Sequence, residues 1–157
     1  MTQRARPEHD HERGQVIPFY AGLGVDCFAS SARVWAKGVS PGIADLICFW
    51  PKLGFHFFHE TKVEGKRQTA EQRDFETACI GTGVPYVLGG IDEAMAFVVF
   101  LELAERVGPT IRVKPRDKWP IADAFIDIGN EWARSPARIA ASVKHGFGQG
   151  TRAKAAG

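Results

Sequence analysis

Between Pro41 and Gln72 the chain reads PGIADLICFWPKLGFHFFHETKVEGKRQTAEQ, and Asp45, Glu60 and Lys62 have the types and spacing for chemistry on a phosphodiester. Two apolar runs, Ala44 to Trp50 and Phe55 to Lys62, flank the turn signal Pro51-Lys52-Leu53-Gly54 and predict a β-hairpin. A turn centred on Lys52 and Leu53 sets Trp50 against Phe55 and Asp45 against Glu60. Directly opposed residues of an antiparallel pair hold their Cβ atoms about 4.5–5.5 Å apart, and like charges there repel. Lys62, two residues past Glu60, belongs to the same face. A divalent cation resolves the conflict, and magnesium suits it, with manganese as a substitute: it takes one or two carboxylates and fills its shell with waters and phosphate oxygens. Such an ion polarises a phosphodiester and lowers the pKa of water, while a neighbouring ammonium neutralises phosphate charge. The blander reading, two solvated strand-end acids neutralised by Lys62, gives no reason for opposing them on an otherwise apolar hairpin.

The elements around this patch follow from local signals. Pro7 opens a short helix that ends before Pro18 and carries Glu8 and Glu12 four apart on one face. The run His9-Asp10-His11-Glu12 lacks metal-ligand spacing and reads as solvated. Val16 to Gly24 is a glycine-interrupted connection, Cys27 to Ala36 a first strand or two short ones, and Lys37 to Gly42 a loop into the Asp45 strand. A helix spans Thr69 to Thr82, with Thr69-x-x-Gln72 as a capping box. Gly83 stops it, and Val84 to Leu88 is a buried strand, parallel to its neighbour because a helix precedes it. A helix from Asp92 to Val107, a basic edge strand from Thr110 to Lys114, an amphipathic helix from Ile121 to Ala133 and a short one from Pro136 to Lys144 complete the chain.

Several spacings agree with one family at once. Gly42 to Asp45, Glu60-Thr61-Lys62, Thr69, Gln72, Gly83-Val84-Pro85 and Asp92-Glu93-Ala94 together resemble the PD-(D/E)xK nuclease superfamily, most of all its VRR-NUC branch, from about Val39 to Leu103. Ala44 stands where that pattern has proline. The resemblance implies an α/β fold: a single restriction-endonuclease-like domain with a mixed central β-sheet flanked by helices. It also implies a metal-dependent DNA endonuclease, with Asp45 and Glu60 as metal ligands, Lys62 positioning water or steadying the phosphate, and Gln72 supporting the site. The family's first helix supplies a further metal-site glutamate, for which Glu8 and Glu12 are the candidates and Glu12 the one taken here. Lys37, in the loop before Asp45, is a candidate nucleic-acid contact. Single-domain members of the branch are often homodimers acting on branched DNA, so a Holliday-junction-resolving enzyme is the sharpest expectation. A cutter of duplex or single-stranded DNA, and an inactive DNA-binding or structural module derived from a nuclease, are the alternatives.

Composition bounds the rest. With 157 residues, 45% of them hydrophobic and 24% charged, the chain is expected to be one soluble globular domain. Its expected parts are a polar N-terminal segment (1–15), the nuclease core (16–108), a C-terminal extension with helices (109–144) and a disordered basic tail (145–157). No apolar run is long enough to span a membrane, and the first fifteen residues are too polar for a secretory signal, so a cytoplasmic protein is expected. Cys27, Cys48 and Cys79 are odd in number and set among apolar residues, which reads as free buried thiols. The net charge of +2 does not argue for nucleic acid by itself. Its distribution says more: Lys66 and Arg67, just beyond the Glu60 strand, are candidate phosphate contacts.

Overall fold

The computed structural model describes residues 7–30 and 42–148, with side chains from residue 11 onward. Lys37, the side chain of Glu8, the second half of the expected first strand and the last nine residues therefore lie outside the description. The elements are α1 (Pro7–Gly22), β1 (Asp26–Ala29), β2 (Leu46–Trp50), β3 (Phe55–Thr61), α2 (Ala70–Gly81), β4 (Tyr86–Gly89), α3 (Ile91–Phe100), β5 (Ala104–Val107), β6 (Thr110–Val113), α4 (Ile128–Ala133) and α5 (Pro136–His145). Two 3-10 turns precede α4.

The main sheet runs β1-β2-β3-β4. Its first three strands are antiparallel, and β4 lies parallel to β3 after the α2 crossover. The hairpin register is the expected one, with Trp50 opposite Phe55 and Leu46 opposite His59. Asp45, one residue ahead of β2, therefore meets Glu60. Gly54, with a φ of 75°, closes the turn, its N–H bonding the Trp50 carbonyl at 2.9 Å.

Strand alternation divides the core between two faces. Leu46, Cys48, Trp50, Phe57 and Val87 pack with Val16 and Tyr20 of α1, Phe97 and Val98 of α3, and Trp132 of α4. On the opposite face Tyr86, Leu88 and Phe58 pack against Phe75 and Cys79 of α2. The mixed sheet thus carries helices on both sides, as the α/β reading requires. Among the described residues no helix is long and apolar enough to cross a membrane.

Three elements differ from expectation. Helix α1 continues through Pro18 to Gly22, although Pro18 was expected to end it and Val16 to Gly24 to form a glycine-interrupted connection. Val16 and Tyr20, one turn apart, are both fully buried. Burying two such side chains offsets the roughly 3 kcal/mol cost of an interior proline. Helix α3 stops at Phe100, and Glu102 takes a φ of 64°. The residues after it form β5, which pairs with β6 about a Gly108-Pro109 turn. The expected helix over Ile121 to Ala133 is broken by Asp127, at a φ of 62°, into a 3-10 turn and the short α4, which still bury Phe125, Ile128 and Trp132. The last helix matches the expected one to within a residue, with the Ser135 hydroxyl capping it and Pro136 in its first turn.

Candidate active site

The site forms where the C-terminal ends of β3 and β4 meet the first turns of α2 and α3, and where α1 passes. Asp45 arrives there because Gly42, three residues earlier, lies hard against α2. A Cβ on Gly42 would stand 2.3 Å from the backbone of Glu71, and its φ is 93°. Glycine alone allows this approach, and it brings Asp45 beside Glu60 and Gln72.

The carboxylates bond each other's strands. Glu60 Oε2 accepts from the Asp45 backbone N–H at 3.0 Å. Asp45 Oδ2 accepts from the Thr61 N–H at 3.1 Å and from the Thr61 hydroxyl at 2.6 Å, and Asp45 Oδ1 lies 2.9 Å from Arg13 Nη2. Glu60 Oε1 accepts from Gln72 Nε2 at 2.7 Å and lies 3.4 Å from Lys62 Nζ. Gln72 performs both of its expected tasks: its Oε1 closes the capping box on the Thr69 N–H at 2.9 Å while its amide nitrogen holds Glu60. Burial, followed by the nearby charge of Asp45, raises the Glu60 carboxyl from 4.5 to about 8 against the opposing pull of Lys62. Metal-free, the like-charge conflict is thus relieved by protonation at Glu60 and by the Arg13 guanidinium at Asp45.

Beneath the acids a buried brace fixes the strands. His59 Nε2 donates to the Gly89 carbonyl at 2.9 Å, which leaves Nδ1 to accept from the Tyr20 hydroxyl at 2.7 Å. Burial lowers the imidazole from 6.5 to about 4, so it stays neutral and ties α1, β3 and β4 together. Beside the acids opens a cleft of about 610 Å³ lined by Glu12, Lys62, Gly90, Asp92, Glu93 and Lys144, among others. Glu93 accepts from the Gly90 N–H at 2.9 Å and lies 3.6 Å from Lys144 Nζ.

The chain matches no family model, no curated protein and no solved structure.

The candidate residues separate into three groups. Asp45, Glu60, Lys62 and Gln72 come together. Glu12, on α1, lines the cleft, and its buried Oε2 has no hydrogen-bond partner among the described residues; it lies so near Gly90 that a Cβ there would meet it at 2.2 Å. Lys66 and Arg67 lie beside the end of α5: the Lys66 backbone carbonyl accepts from His145 Nδ1 at 2.8 Å while the residue stays exposed, and the Arg67 guanidinium donates to the Gly146 and Val143 carbonyls, each at 3.0 Å. Among the described residues no group of three or more His, Cys, Asp and Glu side chains stands ready to hold a metal. The donor chemistry nevertheless suits a hard cation, with two carboxylates at the site and the unpartnered Glu12 oxygen on the adjoining helix. Arg13 and Thr61 were missed. Thr61 sits in plain view between Glu60 and Lys62, but strand alternation assigns its side chain to the other face. Arg13 belongs to the polar N-terminal segment, in which no spacing pointed to Asp45.

Proposed function

We propose that this protein is a metal-dependent DNA endonuclease, in its sharpest form a homodimer that resolves branched DNA. The observation carrying the reading is the opposed pair Asp45 and Glu60, with Lys62 3.4 Å from Glu60, beside an open cleft. Asp45 and Glu60 would hold magnesium, or manganese in its place, with Glu12 as the further carboxylate. When bound, the ion supplies charge stabilisation for the scissile phosphate and a lowered pKa for water. Lys62 presents its ammonium at the same spot, where it neutralises charge on the phosphate and orients the attacking water. Gln72 and Thr61 fix one oxygen each of Glu60 and Asp45, so that both carboxylates are oriented before substrate arrives. Arg13 balances Asp45 until a cation takes over that role.

A second reading, a nuclease-derived DNA-binding or structural module without activity, draws support from one observation: the Arg13 ion pair and the raised Glu60 pKa already neutralise both acids. Cleavage of labelled four-way junction, duplex and single-stranded DNA, with magnesium, with manganese and with chelator, separates the readings. Metal-dependent cutting confined to junctions supports the resolving enzyme. Cutting of the other substrates makes it a general endonuclease, and tight binding without any cutting favours the inactive module.

A further inference from the structure

Cys27 and Cys48 lie directly opposite each other in the register of β1 and β2. Their sulfurs are 3.8 Å apart. The Ser30 N–H donates to the Asp45 carbonyl at 2.8 Å, which makes Ser30 and Asp45 a hydrogen-bonded rung of this ladder. Rungs alternate, so Phe28 with Ile47 is hydrogen-bonded and Cys27 with Cys48 is not. Non-hydrogen-bonded pairs are the closer ones, with Cα atoms about 4.5 Å apart. That separation falls within the roughly 4.4–6.8 Å a disulfide spans, so side-chain rotation brings the sulfurs together without moving the strands.

We infer that Cys27 and Cys48 are a redox-active pair that closes into a cross-strand disulfide when the protein meets a small-molecule disulfide. The two thiols have unequal tasks. Cys27 is half-buried on β1, the outermost strand of the main sheet among the described residues, whereas Cys48 is fully buried. The Cys48 thiol donates to the Cys27 sulfur and holds it below the ordinary thiol range, while the same bond and burial raise Cys48. Cys27 is therefore the attacking thiolate. It displaces one thiol from the small disulfide and forms a mixed disulfide. Cys48 then loses its proton to water, attacks the Cys27 sulfur and releases the second thiol. One small disulfide is reduced to two thiols, and two cysteines are oxidised to one cystine. Cys79 takes no part: it lies on the buried face of α2, where burial and the Glu76 carboxylate push its thiol up to about 12.

The bond would lock β1 close to the proposed site. Ser30, three residues past Cys27, donates from its hydroxyl to the Ala44 carbonyl at 2.5 Å, and its N–H holds the Asp45 carbonyl. Oxidation would staple β1 to the strand that delivers Asp45, whatever reaction that residue serves.

The test exposes the full chain to oxidised glutathione under native conditions. Acid quenching and alkylation of the remaining thiols in denaturant follow, with peptide mass mapping of the products. The expected result is a monomer two hydrogens lighter, with Cys27 joined to Cys48 and only Cys79 alkylated. Cys48→Ser should stop at a glutathione adduct on Cys27, and Cys79→Ser should behave as wild type. A lasting adduct on wild-type Cys27 with Cys48 still alkylated, a link between two chains, or no loss of thiols would each overturn the inference. The wild-type map decides even if a serine variant fails to fold.

Discussion

Glu60 and His59 are neighbours on β3 with opposite titration behaviour, and together they shape the pH dependence of the metal-free protein. Glu60 titrates near 8 in the fold and at 4.5 when unfolded, so its contribution is present below 4.5 and is lost as pH rises toward 8. His59 titrates near 4 in the fold and at 6.5 when unfolded, so its contribution is present above 6.5 and is lost as pH falls toward 4. Between 4.5 and 6.5 the two slopes oppose and stability stays nearly flat. Above 6.5 only Glu60 of the two still titrates, and its contribution declines toward pH 8. Urea unfolding in chelator across this range should show that decline in wild type and its absence in Glu60→Gln. An equal decline in the variant would remove Glu60 as its cause. Gln72→Glu separates that residue's two roles. The new carboxylate can still close the capping box but cannot donate to Glu60. Stability should change by less than about 1 kcal/mol while the cleavage rate falls roughly tenfold or more. A variant that unfolds, or that cuts at the wild-type rate, would refute the division.

At the scale of elements, the β2–β3 hairpin and the first turn of α2 determine where the acids stand. Both were legible in advance because their signals are local. The Pro-Lys-Leu-Gly turn fixes the register, alternation fixes the faces, and Thr69-x-x-Gln72 marks a helix start. Helix α1 was only half legible, because the burial that carries it past Pro18 involves strands far away in the chain. For the same reason Arg13, which pairs with Asp45 32 residues on, gave no usable signal. Gly42 was visible as part of a motif, but its reason, contact with the backbone of Glu71, is tertiary. Gly42→Ala should cost more than about 2 kcal/mol, from the left-handed backbone and the clash together. Thermal unfolding would measure it, and a neutral substitution would mean that this approach does not position Asp45.

At the scale of the molecule, residues past Gly108 are woven into the fold rather than appended to it. The Gln68 N–H bonds the His145 carbonyl at 2.7 Å, Trp132 Nε1 donates to the Tyr86 carbonyl at 2.9 Å, and buried Arg138 pairs with buried Glu76. Nothing local in the sequence announced these contacts, since each joins residues distant along the chain. Glu76 is also held by Arg73 at 2.8 Å and by Gln68 at 3.1 Å, so α5, α2 and the loop after β3 share one buried polar network. Arg138→Ala should destabilise the protein by about 1–3 kcal/mol, because buried Glu76 Oε2 loses its partner while Arg73 and Gln68 still hold Oε1, and the double variant Glu76→Gln with Arg138→Met should recover part of that loss. Denaturant unfolding of both variants measures it; no loss in the single variant would show that α5 is dispensable. The central claim, that opposed carboxylates and a lysine perform metal-dependent phosphodiester hydrolysis, is met most directly by single-turnover cleavage of branched DNA with saturating magnesium, comparing wild type, Asp45→Asn and Lys62→Ala. The account predicts cutting by wild type that stops on chelation and is abolished in both variants, which keep their fold and much of their DNA affinity. Undiminished cutting by either variant, or no cutting by wild type on any DNA, would contradict it.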